Sequence, residues 1–280
     1  MKLVVVYNPK SGSAQTKKQL KRLFKAANIT IESFIVIDDK LSRHLQPFCR
    51  KGKIIAAIGG DGTIASVAAI VHTSQALFAP LPGGTLNHFT KDADIDQDLE
   101  IAIKNLTNAK QRKIDVATVN KKLFLNNSSI GIYPTTLQTR KRFEDKLGKW
   151  PSAVVSTIRA FVRFRIYTIT INGKIYRTPF VFVGNNQYDI DNGGARKTLT
   201  SKKLFVYIIK SDKRRTLIRL LFASIIGQAR SDNDLITLST QKIIIHSHKN
   251  RLNVSTDGEL VSTSTPITYE SLPGSLTILS

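Results

Sequence analysis

The chain has 280 residues, of which 41% are hydrophobic, a content that supports a substantial core and excludes a disordered protein. Its 42 lysines and arginines outnumber its 20 aspartates and glutamates, and the net charge of +22 favours polyanionic partners such as nucleotides, nucleic acid or anionic lipid headgroups. The single cysteine, Cys49, excludes an internal disulfide and a cysteine-based zinc site. Without a signal peptide, or an apolar stretch of roughly 18 residues, the sequence predicts a cytoplasmic protein with no membrane span.

The first third of the chain alternates short apolar runs with helical patterns. Strands are predicted at residues 2–7, 31–37, 53–58 and 76–80, and helices at residues 14–27, 41–51, 64–71 and 99–108. Short apolar strands separated by crossover helices are typical of an open, Rossmann-like parallel sheet. Ligands of such sheets bind beyond the carboxyl ends of the strands, where Asn8, Gly59 and Pro82 fall.

The pattern changes after about residue 113 to strands with few helices, which predicts an antiparallel β-sandwich. Asn172-Gly173 is a good two-residue hairpin turn between two of these strands. We therefore predict an α/β domain at residues 1–113, possibly joined by a last strand within 271–280, and a sandwich domain at 114–270. The predicted sandwich strands are residues 113–119, 122–129, 167–171, 174–182, 203–209, 242–248 and 253–256.

Two glycine-rich turns follow apolar runs in the first domain, Gly59-Gly60-Asp61-Gly62-Thr63 and Pro82-Gly83-Gly84-Thr85-Leu86-Asn87. Consecutive glycines, which have no Cβ, let backbone N–H groups approach a polyphosphate, and the following helix adds partial positive charge. The pair predicts a nucleotide phosphate site. Asp61 indicates chemistry there, because a carboxylate near phosphates needs a divalent cation or a substrate hydroxyl beside it. The alternative is a hairpin or helix start with Asp61 as its cap.

A third loop, Asn8-Pro9-Lys10-Ser11-Gly12-Ser13, follows the first strand and precedes a basic helix. Asn8, Lys10 and the backbone N–H groups of the serines are suited to holding a phosphate there. Taken alone, the loop is equally well explained as an Asn-Pro turn with a Ser-Gly cap.

In this order and spacing, the three motifs resemble the diacylglycerol kinase catalytic-domain family, particularly its bacterial soluble lipid kinases. The resemblance spans nearly the whole chain. It implies an ATP-binding α/β domain followed by a β-sandwich, with the nucleotide in a cleft, magnesium bound with ATP, and a lipid headgroup that receives the γ-phosphate in phospholipid metabolism. Asp61 would organise the metal, the phosphates or the acceptor hydroxyl. By position, the nucleotide site would be lined by Asn8, Lys10, Ser11, Gly60, Gly62, Thr63, Gly84, Thr85 and Asn87.

Far downstream, Asp257-Gly258-Glu259 resembles the late Asp-Gly-Glu element of the same family. The resemblance implies that one carboxylate accepts the proton of the attacking hydroxyl and that its neighbour contacts the nucleotide side. Phosphoryl transfer needs such an acceptor, and we take Asp257 as the first candidate for the base and Glu259 as the second. Without the resemblance, Asp257-Gly258 is read as a hairpin turn.

The chain departs from the family pattern at two places. His88 stands where many relatives carry aspartate, and Ser201-Lys202-Lys203 stands where a structural magnesium aspartate and a glycine often lie. The metal ligands are therefore unknown. We interpret His88 as a packing or phosphate-side residue, because no second histidine or carboxylate lies at a ligand-like spacing from it.

Two basic amphipathic helices are predicted at residues 153–165 and 213–230. Each suits an anionic membrane interface, and each is equally suited to covering the sandwich while its arginines stay in water. We expect a protein peripheral to the inner face of the membrane, acting on a lipid, with no nucleic-acid partner. The oligomeric state is not predictable from the sequence.

The sequence thus favours an ATP-dependent lipid kinase acting on diacylglycerol or a related lipid. One alternative is an NAD kinase, which shares Gly-Gly-Asp-Gly-Thr, although residues 8–13 and 83–87 are closer to the lipid enzymes. The other is a non-catalytic basic module that binds membrane or nucleic acid, for which salt-sensitive binding without ATP consumption would be the signature.

Overall fold

The fold is given by a computed structural model that describes residues 1–131, 166–189, 195–211, 213, 215, 216, 219 and 233–280. The chain divides into two compact units, Met1–Val116 with Leu272–Ser280, and Ala117–Ser271. The predicted basic helix at residues 153–165 lies outside the described residues, and so does most of the one at 213–230.

The first unit contains a parallel sheet with helices between its strands. Its strands lie in the order β2-β1-β3-β4, and Ile278 of the chain's last strand pairs in parallel with Phe78 of β4. Each of β1, β3 and β4 is almost completely buried, as expected for a parallel sheet covered on both faces. The elements are β1 (Lys2–Tyr7), α1 (Lys17–Ala26), β2 (Thr30–Val36), α2 (Leu41–Leu45), β3 (Ile54–Gly59), α3 (Asp61–Val71), β4 (Leu77–Pro82), α4 (His88–Asp92) and α5 (Leu99–Asn105).

Local signals set the helix boundaries in this unit. Helix α1 begins three residues later than predicted because Thr16 forms a capping box with Gln19. Asp98 caps α5 by accepting hydrogen bonds from the N–H groups of Glu100 and Ile101. The predicted helix at residues 41–51 is shorter, since it ends after Leu45 in a 3-10 turn that contains Pro47.

The second unit is built from antiparallel strands. Its strands are β5 (Gln111–Val119), β6 (Lys122–Phe124), β7 (Asn127–Gly131), β8 (Tyr167–Ile171), β9 (Lys174–Thr178), β10 (Phe180–Asn185), β11 (Leu204–Ile209), β12 (Leu235–Thr240), β13 (Lys242–Ser247), β14 (Arg251–Thr256), β15 (Glu259–Ser264) and β16 (Ile267–Leu279). Both β5 and β16 run from one unit into the other.

One sheet of this unit has the order β12-β11-β10-β7-β14-β15, and a second contains β16, β13, β8 and β9. Inward-facing side chains of both sheets form one hydrophobic core, which includes Phe124, Val183, Val254 and Tyr269. The predicted hairpin at Asn172-Gly173 is confirmed, since both residues have positive φ and Ile171 pairs with Lys174.

The predicted fold class is confirmed: a parallel-containing α/β part is followed by an antiparallel part. The strand predicted at residues 122–129 is wrong as a single element, because the chain leaves the ladder between Phe124 and Asn127. The strand predicted at residues 174–182 is also wrong as a single element, because β9 ends at Thr178 and β10 begins at Phe180, on either side of Pro179. Helix α4 and strands β12 and β15 were not predicted. Among the described residues, no helix is both long and apolar enough to cross a membrane.

Candidate functional site

The loop after β1 is tied to the first turn of α3 through Asn8. The Asn8 Nδ2 donates a hydrogen bond to Thr63 Oγ1 at 3.1 Å, and its Oδ1 accepts one from the Lys10 backbone N–H at 2.9 Å. The Asn8 N–H itself donates to the Ile58 carbonyl at the end of β3. Asn8 therefore sets the position of the Lys10–Ser11 segment, and the Lys10 side chain lies exposed beside it.

The two glycine turns approach each other so closely that side chains cannot fit between them. A Cβ added at Gly84 would overlap the Gly60 Cα and lie 3.1 Å from the Gly60 nitrogen. A Cβ added at Gly83 would lie 2.8 Å from the Gly59 nitrogen. The contacts are backbone against backbone, so neither turn can move aside cheaply. The structure thus brings Gly60, Gly62 and Gly84 into one group of loops.

The first loop joins the same group through Gly12 and Ser13. A Cβ at Gly12 would overlap Thr85 Oγ1, and Ser13 Oγ donates to the Gly84 carbonyl at 3.3 Å. All three loops follow parallel strands at their carboxyl ends, the edge at which α/β sheets bind ligands. The predicted nucleotide residues of the first unit, from Asn8 to Asn87, therefore lie in a single cluster of loops.

The start of α3 is suited to an anion. Gly60 occupies the N-cap and has no side chain to satisfy the first N–H groups of the helix, which are those of Asp61, Gly62 and Thr63. The first helical hydrogen bond is donated by Ile64 to the Gly60 carbonyl. N–H groups without an intrahelical partner and the helix dipole together favour a phosphate at this end of the 11-residue helix.

The carboxylate of Asp61 caps the short helix α4 rather than its own helix. Its Oδ2 accepts from the His88 N–H at 3.1 Å and its Oδ1 from the Phe89 N–H at 2.8 Å. Asn87, in the left-handed conformation with φ of 53°, accepts from the Gly84 N–H at 2.9 Å. Asp61 thus connects two loops of the cluster, and the His88 residue is exposed. A role of Asp61 in turnover stays a prediction.

The second unit contains Asp257 and Glu259 at the turn between β14 and β15. Asp257 and Gly258 have φ of 46° and 80°, and Thr256 pairs with Glu259, so the segment is a tight hairpin turn as well as a candidate site. Glu259 is exposed and forms an ion pair with Lys122, Oε2 to Nζ at 3.3 Å.

The Asp257 carboxylate is held by three consecutive backbone N–H groups. Its Oδ2 accepts from Leu125 at 2.7 Å, and its Oδ1 accepts from Asn126 at 2.8 Å and from Asn127 at 3.2 Å. These bonds explain the break in the predicted strand, because the amides of residues 125–127 donate to a carboxylate and not to a neighbouring strand.

Burial raises the pKa of Asp257 to about 6. The three backbone hydrogen bonds and the positive charge of Arg196 oppose that shift because they favour the ionised form. A carboxyl group with a pKa near 6 is a far better proton acceptor at neutral pH than an ordinary aspartate. The role of Asp257 as general base stays a prediction.

Sequence reasoning missed the polar residues around this turn. Arg196 and Asn126 are buried, and Asn185 and Asn186 are completely buried. The sequence does contain a pattern that indicates buried polar residues here, namely two Asn-Asn pairs at residues 126–127 and 185–186, each next to an apolar strand.

Metal ligands remain unassigned. Within the described ranges, no group of three or more His, Cys, Asp or Glu side chains is arranged to hold a metal ion. At Ser201, where the resemblance implied the region of a structural magnesium aspartate, the Ser201 N–H and Oγ both donate to Asn186 Oδ1, at 2.7 and 2.6 Å. Lys202 has a positive φ of 61°. A metal that arrives with a nucleotide would take most of its ligands from phosphate oxygens and water.

Comparisons with known proteins find similarity in the part of the chain that contains the three loops. The family model of the diacylglycerol kinase catalytic domain matches residues 2–119. A probable lipid kinase of the YegS-like type from Cronobacter sakazakii is 35% identical over 100 residues, which is 34% of this chain and 33% of that protein. A candidate lipid kinase from Staphylococcus carnosus is 30% identical over 145 residues, 48% of this chain and 46% of that protein. The chain thus spans about a third to a half of the length of these curated relatives.

A solved structure covers more of the chain. The crystal structure of a candidate diacylglycerol kinase from Bacillus anthracis strain Sterne superposes with a TM-score of 0.75 at 25% identity. The match covers 99% of this chain and 96% of that one. The order of parallel and antiparallel parts is therefore the same over the full length.

Proposed function

We propose that the protein is an ATP-dependent lipid kinase of the diacylglycerol kinase family, and the match of residues 2–119 to the catalytic-domain model of that family supports the proposal. It transfers the γ-phosphoryl group of ATP to a hydroxyl of diacylglycerol or a related lipid. The observation that carries the proposal is the cluster of three loops, in which Gly84 lies too close to the Gly60 backbone for a side chain and Gly12 lies against Thr85 Oγ1.

In the first unit, the proposed roles are binding and orientation. The N–H groups at the start of α3 and the glycine turns hold phosphate oxygens, and Lys10 adds a positive charge. Magnesium bound with ATP would neutralise part of the negative charge of the phosphates. Asp61 holds the α4 loop against α3 through His88 and Phe89, and thereby keeps the second glycine turn in place. The nucleotide residues predicted from the sequence retain these roles as proposals.

In the second unit, Asp257 is the proposed proton acceptor. The lipid hydroxyl oxygen forms a bond to the γ-phosphorus, the bond from that phosphorus to the bridging oxygen breaks, and ADP leaves. The hydroxyl proton passes to the Asp257 carboxylate, whose pKa near 6 keeps it mostly ionised at neutral pH. Glu259 is the second candidate for this role.

The proposed partner is an anionic lipid surface at the inner face of the membrane. The net charge of +22 supports it, because such a surface attracts basic proteins with about 1 kcal/mol for each lysine or arginine near it. Binding should therefore weaken as ionic strength rises.

Phosphorylation of lipid in mixed micelles tests the function. Purified protein, radiolabelled ATP and magnesium are combined with micelles that contain diacylglycerol and an anionic phospholipid, and the product is separated as labelled phosphatidic acid. We expect labelled lipid with the wild type and a rate well below wild type with Asp61→Asn, provided its circular dichroism shows a native fold. Undiminished turnover of Asp61→Asn would remove Asp61 from the mechanism. A parallel reaction with NAD as acceptor distinguishes a lipid kinase from an NAD kinase. Formation of NADP without labelled lipid would show that the protein is an NAD kinase and contradict the proposal.

The acid side of the pH profile tests the proposed base. Because the base must be ionised, and the pKa of Asp257 is raised from the usual aspartate value to about 6, kcat/KM should fall about tenfold per pH unit below pH 6 and level off above it. Rates are measured between pH 5 and 8 at constant ionic strength. A profile that stays flat down to pH 5 would contradict the assignment of Asp257 as the base.

A further inference from the structure

Arg196 is a charged residue inside the second unit to which the proposed mechanism gives no role. Only 8% of its surface is exposed. It lies on a short stretch that pairs with Tyr188 in an isolated antiparallel bridge. A buried guanidinium is costly unless its N–H groups and its charge are compensated, so its surroundings indicate why it is retained.

The guanidinium contacts the turn that holds Asp257. Its Nη1 donates to the Leu125 carbonyl at 2.7 Å and its Nη2 to Asn126 Oδ1 at 2.8 Å. The Leu125 carbonyl accepts a second hydrogen bond from Asn185 Nδ2 at 2.8 Å. Backbone and side chain of two consecutive residues are thus fixed by one planar group, a geometry that lysine cannot reproduce.

The peptide unit between Leu125 and Asn126 lies between opposite charges. Its carbonyl accepts from Arg196, and its N–H donates to the Asp257 carboxylate at 2.8 Å. The peptide dipole is therefore aligned with the field from the guanidinium to the carboxylate, and each hydrogen bond polarises the peptide for the other. Arg196 and Asp257 thus bond opposite ends of one peptide unit, and the positive charge of Arg196 favours the ionised form of Asp257.

We propose that Arg196 is a positioning residue for Asp257. It fixes the turn at residues 125–127 so that three N–H groups aim at the carboxylate, and its charge favours the ionised form that can accept a proton. The inference deepens the proposed function, in which Asp257 is the base, and rests on it for its catalytic meaning.

Two charged neighbours of Asp257 and Arg196 form ion pairs of their own. Within the part of the chain that the structure describes, Arg196 is the charged group that lowers the pKa of Asp257 against the effect of burial. Glu259 on the same turn pairs with Lys122, and Lys197 next to Arg196 pairs with Asp189 at 3.5 Å. Removal of the Arg196 charge should therefore move the Asp257 pKa upward, to above about 6.

The test compares Arg196→Gln and Arg196→Lys in the full-length protein. The matched control is Arg251→Gln, which removes an exposed arginine of the same unit that donates to Ser262 across the β14–β15 pair. Titration of aspartate carboxyl carbons is followed by carbon-13 NMR, with the Asp257 signal identified by its loss in Asp257→Asn. The pH profile of kcat/KM is measured for each variant.

We expect Arg196→Gln to raise the Asp257 titration midpoint by about one pH unit and to shift the acid side of the kcat/KM profile by the same amount. At pH 6 this corresponds to a loss of about fivefold in kcat/KM, and the loss approaches tenfold at lower pH. Arg196→Lys should keep the midpoint near that of the wild type, because the charge is retained, while kcat falls through the loss of the two directed hydrogen bonds. Arg251→Gln should change neither measurement.

An Asp257 midpoint that is the same in Arg196→Gln and in the wild type would overturn the inference. If Arg196→Gln does not fold, Arg196→Lys decides the matter, and wild-type kcat in that variant is the contrary result. The two proposals fail in different ways. A shifted carboxyl titration in a protein that phosphorylates no lipid refutes the kinase proposal alone, whereas an unshifted titration in an active kinase refutes the role of Arg196 alone.

Discussion

Asp257→Asn is expected to lower kcat for lipid phosphorylation by about 10²- to 10⁴-fold, the range of a lost general base. Asparagine cannot accept the hydroxyl proton at any working pH. It is the least disruptive replacement, because asparagine tolerates the left-handed backbone that Asp257 adopts with φ of 46°. One cost remains, since its Nδ2 places a donor among the three N–H donors of residues 125–127.

Steady-state kinetics and urea unfolding separate these two effects of Asp257→Asn. Stability is measured first, and kcat is compared at a temperature where both proteins are folded. Glu259→Gln is the matched control: Glu259 lies two residues away, is exposed, and pairs with Lys122 at 3.3 Å, an interaction worth about 1 kcal/mol or less. We expect this control to retain kcat within a few-fold. A larger loss in Glu259→Gln than in Asp257→Asn would make Glu259 the base and leave Asp257 as the residue that shapes the turn.

Gly84→Ala is expected to weaken both the fold of the first unit and its affinity for ATP. The added methyl group would overlap the Gly60 Cα and approach the Gly60 nitrogen to 3.1 Å, so the two glycine turns must separate. Overpacking of this kind costs about 1–3 kcal/mol of unfolding free energy. Separation of the turns also misaligns N–H groups that donate to phosphate, and the loss of one such bond, about 1.5–3 kcal/mol, corresponds to roughly 10- to 100-fold in affinity.

Gly60→Ala is the control that distinguishes fold from ligand contact. A Cβ at Gly60 would lie 3.4 Å from the Gly84 Cα, an ordinary contact, and its φ of −78° suits alanine. Its unfolding free energy should therefore stay within about 0.5 kcal/mol of the wild type. Isothermal titration calorimetry with ATP and magnesium then reports whether a ligand approaches this turn as closely as proposed. Wild-type affinity in both alanine variants would show that the turns do not hold the nucleotide.

The parallel part of the fold was predictable because its signals are local. Each of β1, β3 and β4 is a short apolar run that is almost completely buried, and the loops after these three strands carry glycines or an Asn-Pro turn. The conserved geometry of parallel sheets places the ends of such strands at one edge, so the convergence of the three loops also follows from the order of the elements. The resemblance to a kinase family rests on these same residues.

Helix α4 shows where local signals end. It has five residues, with no side chain of its own to cap it, and its first N–H groups are satisfied by Asp61, which lies 27 and 28 positions earlier in the chain. The break between β6 and β7 has the same origin, because the carboxylate that captures the amides of residues 125–127 belongs to Asp257, more than 120 positions later. In both cases the carboxylate and the N–H groups that it accepts from are too far apart in the sequence to be recognised from any short stretch of the chain.

The amino-acid sequence by itself determined the class of the fold, the phosphate-type loops and the two acids of the Asp257 turn, since glycine spacing and apolar periodicity act within a few residues. Only the tertiary structure decided which carboxylate is ionisable near neutral pH and what holds it. Burial, three donated hydrogen bonds and the charge of Arg196 set the pKa of Asp257, and all of these come from chain segments that are distant in sequence. Protonation behaviour is a property of the surroundings, and the surroundings exist only once the chain has folded.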